Sequence, residues 1–266
     1  MTRHTRSIPF LKASACGNDF LLIERSLAPE DIAGFTKRIC DRHNGVGADG
    51  VEWISPHFSA DAEIHLVNAD GSFAEISGNG TRCVAAYLYS KQPKDRISIL
   101  TGAGNKVCTM TGHSKSGYEF EIEMGEAVVE AELALNVGKR EVRGVPVSMG
   151  NPHYVIFVPE FPAEWQARAA EVQRNPHFRE GVNVELVESR GKHEIRARFF
   201  ERGAGETQSS GTGSCAAAAA AMATRRAESP VKVQAPGGTQ VVRKEGKKIF
   251  LAGSAHLVCQ GEFFVS

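Results

Sequence analysis

Apolar and polar residues take turns along many short stretches of this chain, at 20–24, 62–68, 96–101, 118–124, 145–149, 153–158, 182–188, 194–200, 231–235 and 248–252, and this predicts half-buried strands. Longer stretches with helical spacing fall at 29–42, 80–91, 164–175 and 213–226. Strands outnumber helices and do not alternate with them strictly, so the predicted class is α+β, each lobe a sheet wrapped on a helix.

The pattern repeats. Ser77-Gly78-Asn79-Gly80-Thr81-Arg82-Cys83 in the first half matches Ser210-Gly211-Thr212-Gly213-Ser214-Cys215 in the second, apart from one residue. Each copy follows a strand and turn and enters an alanine-rich helix. A glycine-rich turn and a further strand come next, at Gly102-Ala103-Gly104 and at Pro236-Gly237-Gly238. Order and spacing both recur, which predicts a duplicated fold of two pseudo-twofold-related lobes. The expected division is 1–115 for the first lobe, with 257–266 returning to it, and 116–256 for the second.

A glycine-rich turn that opens a helix leaves backbone N–H groups without intrahelical partners, at the positive end of the helix dipole. Such an end holds a carboxylate or phosphate, and two of them could clamp one anion from both sides. The plainer reading is that Ser77 and Ser210 cap their helices. Polar groups at strand ends could line the same place: Asn18, Asn68, Asn151, His153, Asn183, Glu201 and Arg202. Singly, such residues are ordinary turn formers or surface ion pairs.

Composition narrows the partner. The 266 residues carry 31 basic and 31 acidic side chains, a balance that favours neither nucleic acid nor an anionic membrane and leaves a small molecule as the expected ligand. Arg3, His4, Arg6 and Lys12 interrupt the start of the chain, so neither a signal peptide nor a membrane span is expected there. The six cysteines form no CxxC pair and no zinc spacing, and they read as free thiols of a cytoplasmic protein without a metal.

Several blocks, in order and over nearly the whole chain, resemble the diaminopimelate epimerase family. They are Gly17-Asn18-Asp19-Phe20, Cys40-Asp41-Arg42-His43, Gly45-Val46-Gly47-Ala48-Asp49-Gly50, Asn68-Ala69-Asp70-Gly71-Ser72 and Gly78-Asn79-Gly80-Thr81-Arg82-Cys83 in the first half. Gly150-Asn151-Pro152-His153, Asn183-Val184, Glu201-Arg202-Gly203-Ala204-Gly205-Glu206-Thr207 and Gly211-Thr212-Gly213 continue the series. The resemblance implies two similar lobes, each a barrel-like, mostly antiparallel sheet around a central helix, with the substrate in the inter-lobe cleft and a homodimer as the assembly. It implies cofactor-independent inversion of an amino-acid α-carbon, without pyridoxal phosphate or metal, and a place in lysine biosynthesis. Gly78, Asn79, Gly211 and Thr212 would hold the α-carboxylate. Asn18, Asn68, Asn151, Asn183, Glu201 and Arg202 would hold the remaining groups, the Arg202 fork suiting a distal carboxylate.

In that family a cysteine precedes each glycine-rich loop, one acting as acid and the other as base. Here Ser77 and Ser210 stand in those places, with His153 and Glu201 matching the family's partner groups. A thiol reaches its thiolate near neutrality, helped by a helix N-terminus, whereas a hydroxyl needs a strong neighbouring base. The expected activity is therefore that of an epimerase-like isomerase with altered proton carriers. A non-catalytic amino-acid binder and a divergent isomerase or lyase of the same fold are the alternatives. Ala13-Ser14-Ala15-Cys16, where the family has Met-His-Gly before its loop, and Ser209 beside Ser210 favour natural divergence.

Overall fold

A computed structural model describes residues 6–114, 117–138 and 140–265. The chain divides into two compact units, 1–122 with 253–266 and 123–252. Both divisions fall inside strands that run on from one unit into the other, whereas the sequence suggested breaks at 115 and 256.

The first unit contains β1 (Arg6–Ala15), β2 (Asn18–Glu24), α1 (Ile32–Cys40), β3 (Gly50–Ser55), β4 (Ala62–Asn68), β5 (Phe73–Ala74), α2 (Gly78–Lys91), β6 (Arg96–Thr101) and β7 (Gly104–Ser114). Strand β8 (Gly117–Glu126) leads out of it. The second holds β9 (Val128–Val129), β10 (Leu133–Val137), β11 (Arg140–Ser148), β12 (Pro152–Phe157), α3 (Trp165–Gln173), β13 (Asn183–Gly191) and β14 (Glu194–Glu201). It goes on through β15 (Gly205–Thr207), α4 (Gly211–Ala223), β16 (Val231–Ala235) and β17 (Gly238–Glu245) into β18 (Lys248–Val265), whose later residues belong to the first unit.

The ladders repeat strand for strand. β1–β2 and β11–β12 are antiparallel, β2–β3 and β12–β13 parallel, β3–β4 and β13–β14 antiparallel, and β4–β6 and β14–β16 parallel. In the first unit β18 pairs with both β1 and β8, which closes that sheet into a barrel. Closure removes the exposed sheet edges of an open sheet.

Alternation along the strands decides what faces which helix. Leu21, Ile23, Val51 and Trp53 pack with Phe35 and Ile39 of α1, leaving Phe20, Leu22 and Glu52 on the opposite face. In the second unit Tyr154, Ile156, Val184 and Leu186 pack with Trp165, Ala169 and Val172 of α3. Val155, Val187 and Phe199 pack instead with Cys215–Ala221 of α4. That segment is apolar all round and wholly buried, as a helix enclosed by strands must be. Its alanines let the surrounding sheet approach closely.

The sequence placed α2 and α4 within two residues of their starts, and missed β1, β3, β7, β10 and β17 together with the two- and three-residue strands β5, β9 and β15. Strand β3 carries Glu52 amid apolar neighbours, and β1 carries Pro9, Lys12 and Ser14, which blur the period-two signal. The expected strand at 248–252 and the expected return of 257–266 are one continuous strand, β18, which changes partner: residues 248–252 pair with β17 and 256–265 with β1.

Candidate active site

Helices α2 and α4 begin in the same way. Ser77 and Ser210 are their N-caps in extended backbone, and each serine Oγ accepts from the N–H three residues on, Gly80 or Gly213, at 3.1 Å. The capping reading is thus realised at both loops. At the second loop a further contact is made: Ser210 Oγ donates to Glu201 Oε1 at 2.8 Å. Asn68 takes the place of Glu201 in the first unit, directly across β3 from Gly50, and its Nδ2 donates to Ser72 Oγ at 3.0 Å.

In the first unit Asn79 Nδ2 donates to Asn18 Oδ1 at 2.7 Å, while Asn18 Nδ2 donates to Asp49 Oδ2 at 2.9 Å. The loop bearing Asn18 is tied down by Asp19, which accepts both arms of Arg42 and lies 2.9 Å from Lys12 Nζ. Burial works to raise the Asp19 carboxyl, but Arg42 and Lys12 outweigh it and hold it below the usual range. Arg82 on α2 is fully buried, and its Nη2 donates to Asn79 Oδ1 and to Cys16 Sγ.

In the second unit Asn151 Nδ2 donates to Thr212 Oγ1 at 3.4 Å, the counterpart of the Asn18–Asn79 contact. His153 Nε2 lies 3.0 Å from Asn151 Oδ1, and its Nδ1 lies 2.7 Å from Glu185 Oε1. Asn183 Oδ1 accepts from the Arg202 backbone N–H at 2.9 Å and its Nδ2 donates to Pro152 O at 3.1 Å, so this amide fixes backbone. The Arg202 guanidinium is exposed and gives Nη1 to Glu180 O at 2.8 Å. Gly78, Asn79, Gly211 and Thr212 are the first helical residues of α2 and α4, where N–H groups lack intrahelical acceptors.

Two residues of consequence are absent from the sequence reading. Glu52 stands opposite Leu22 and Leu66, and Glu185 opposite Val155 and Phe199, the same place in the two ladders. Both are fully buried. Each carboxyl lies against the third residue of its helix: a Cβ built on Gly80 would stand 2.0 Å from Glu52 Oε1, and one on Gly213 2.9 Å from Glu185 Oε1. Only glycine leaves that room.

Their partners differ. Glu185 has His153 beside it, whereas the residue in the corresponding register next to Gly50 is Phe20. Neither Glu52 oxygen has a hydrogen-bond partner among the described residues, and burial pushes its carboxyl up to about 8. Burial also raises Glu185, with the charge of His153 opposing and that of Glu201 adding to the rise. A glutamate inside each apolar run, Val51-Glu52-Trp53 and Val184-Glu185-Leu186, was the available sequence signal.

The described helices include none long and apolar enough to cross a membrane, and the described residues include no His, Cys, Asp and Glu group suited to a metal.

Comparison with known proteins agrees with this geometry. The chain is 37% identical to the diaminopimelate epimerase of Pelotomaculum thermopropionicum, covering 96% of this chain and 98% of that one. It is 30% identical to that of Bacillus licheniformis, covering 98% and 99%. Among solved structures, a Bacillus anthracis phenazine biosynthesis protein of the PhzF family superposes with a TM-score of 0.76 at 16% identity, covering 98% of this chain and all of the other. A probable proline racemase from Agrobacterium radiobacter superposes with a TM-score of 0.74 at 15% identity, covering 97% and 93%. These likenesses are of fold. The diaminopimelate epimerase family model matches residues 10–130 and 145–258, and with the two full-length relatives it assigns the chain: this protein belongs to the diaminopimelate epimerase family, a cofactor-independent, epimerase-like isomerase by descent.

Proposed function

We propose that this protein exchanges the α-proton of an amino acid bearing a second carboxylate, diaminopimelate being the leading substrate, and inverts that centre by transfer through the two serine-capped loops. The observation that carries the reading is the Ser210–Glu201 hydrogen bond of 2.8 Å at the N-terminus of α4. It joins the residue in the place of a family thiol to the residue matching that thiol's partner. The first-turn N–H groups at Gly78 and Asn79, and likewise those at Gly211 and Thr212, are of the kind that binds a carboxylate, and the exposed Arg202 fork suits a distal one.

The carboxylate of Glu201 draws the Ser210 proton and makes that oxygen the acceptor side of the transfer. Ser77 serves as the donor side. Neither step calls on a cofactor. The family likeness suggests cytoplasmic lysine biosynthesis as the setting and a homodimer as the assembly.

Incubation with LL- and meso-diaminopimelate in deuterated water, followed by proton NMR, tests the reading. Loss of the α-proton signal together with the appearance of the other stereoisomer is expected. Tight binding without exchange would instead establish the second reading, an amino-acid binder without turnover, which the serines at both thiol positions favour.

A further inference from the structure

We infer that Glu52 is the proton store of the first loop, supplying through the Ser77 hydroxyl the acid that the family obtains from a cysteine. The inference rests on the proposed inversion and adds its missing acid.

Ser77 alone cannot fill that role. Its hydroxyl accepts from Gly80 N–H, and no described carboxylate accepts from it, since Asn68 stands where Ser210 has Glu201. An alcohol that gives up a proton must recover one at once from a neighbour. The neighbouring carboxyl is that of Glu52. A methyl group built on Gly80 would lie 2.0 Å from Glu52 Oε1 and 3.3 Å from Ser77 Cβ, so carboxyl and serine flank the same glycine. The Gly80 N–H is committed to Ser77 and the Thr81 N–H to Ser77 O, which leaves the carboxyl without a backbone donor. A fully buried carboxyl with neither oxygen bonded is costly unless it is neutral, and in that state it carries a proton to give.

Burial is what pushes the Glu52 carboxyl up and disfavours its ionised form. Among the described residues of the unit, the other buried titratable groups are Cys16 after β1, Cys40 on the α1 side, Arg82 and Cys83 on α2 and Cys108 on β7. Burial keeps Cys40, Cys83 and Cys108 as thiols, and Arg82 is bonded to Asn79 and Cys16. Burial holds the proton on Glu52, the way a carboxyl is kept as an acid at neutral pH.

The protons balance. The Cα–H bond breaks, its electron pair stays on the substrate as a carbanion stabilised by the adjacent carboxylate, and the proton passes to Ser210 Oγ as Ser210 gives its own to Glu201. Ser77 Oγ–H then protonates the carbanion, forming the new Cα–H bond, while Glu52 reprotonates Ser77. Both serines end neutral, Glu201 is protonated and Glu52 is ionised. Exchange with solvent, or a turnover in the reverse direction, restores the starting state.

The test starts on the free protein, with carboxyl-carbon NMR and Glu52→Gln for assignment. A neutral Glu52 at pH 7 that ionises at higher pH is expected, and an ionised Glu52 at pH 7 overturns the proposal whatever the ligand. Binding by calorimetry and inversion in deuterated water are then followed with diaminopimelate between about pH 6 and 10. Wild-type inversion should fall about tenfold per pH unit above the Glu52 titration, and Glu52→Gln should bind normally yet lose about 100-fold or more in inversion. Glu52→Asp, which keeps the acid, should recover part of the loss. Equal rates in wild type and Glu52→Gln, the same high-pH limb in both, or no inversion of any amino acid that binds would each refute it. Failure of diaminopimelate to bind strikes the substrate reading alone, and the inversion arm is then read on other dicarboxylic amino acids.

Discussion

His153 and Glu185 form a buried pair, Nδ1 to Oε1 at 2.7 Å, with side chains 0% and 1% exposed. Their counterparts in the first unit are Phe20 and Glu52, and there the glutamate is alone. One duplicated framework therefore holds two buried carboxyls in unlike surroundings.

Breaking the pair should be costly. His153→Ala leaves Glu185 buried without its partner, and a loss of about 3–5 kcal/mol is expected in urea unfolding. The double variant His153→Phe/Glu185→Leu, which removes both polar side chains and keeps volume, should recover most of that loss. A double variant as unstable as the single would show that the pair is not what His153→Ala disrupts.

Glu52 should make stability depend on pH. Its folded value is raised from 4.5 to about 8, so between these the folded chain binds a proton that the unfolded chain does not. The stabilisation from that proton is full below the unfolded value, declines as pH rises toward 8 and is spent above it, a change on the order of a few kcal/mol. Urea midpoints from pH 5 to about 9 should fall in the wild type and change much less in Glu52→Gln. Parallel profiles would show that Glu52 is not neutral in the folded state.

Alanine at the two caps should have unequal effects. Ser77→Ala removes a cap, worth about 1 kcal/mol, whereas Ser210→Ala removes a cap and the hydrogen bond to Glu201, for about 2 kcal/mol or more. Equal losses in denaturant unfolding would mean that the Glu201 contact adds nothing to stability.

Thiols at the two loops should accelerate proton exchange. Ser77→Cys/Ser210→Cys should raise α-proton exchange on diaminopimelate by about 100-fold or more, because a thiolate at a helix N-terminus is accessible near neutrality. Either single change should do much less, since inversion needs a donor and an acceptor together. The readout is the α-proton signal in deuterated water. A double variant that binds well and exchanges no faster would locate the divergence beyond these two side chains.

The sequence by itself determined the duplication, the two serine-capped helix entries and the family, because each depends on residues close together along the chain. Ser-Gly-x-Gly before an alanine run specifies a cap and a helix locally, and the same sentence written twice implies two similar units. The Ser210–Glu201 pairing was also within reach, as the two residues sit nine apart on one strand, turn and helix start. Which buried carboxyl finds a partner is a matter of long-range pairing. Glu52 and Glu185 each read as an odd charge in an apolar run, and nothing near them in the chain says that one meets a histidine and the other a phenylalanine. That depends on the parallel pairing of β2 with β3 and of β12 with β13, contacts some thirty residues apart. The same holds for β18, which the sequence offered as a strand at 248–252 and a separate return at 257–266, and which folding joins into one strand, Lys248–Val265, paired first with β17 and then with β1. A strand's length, and a buried carboxyl's charge, are set by the neighbours that folding brings to it.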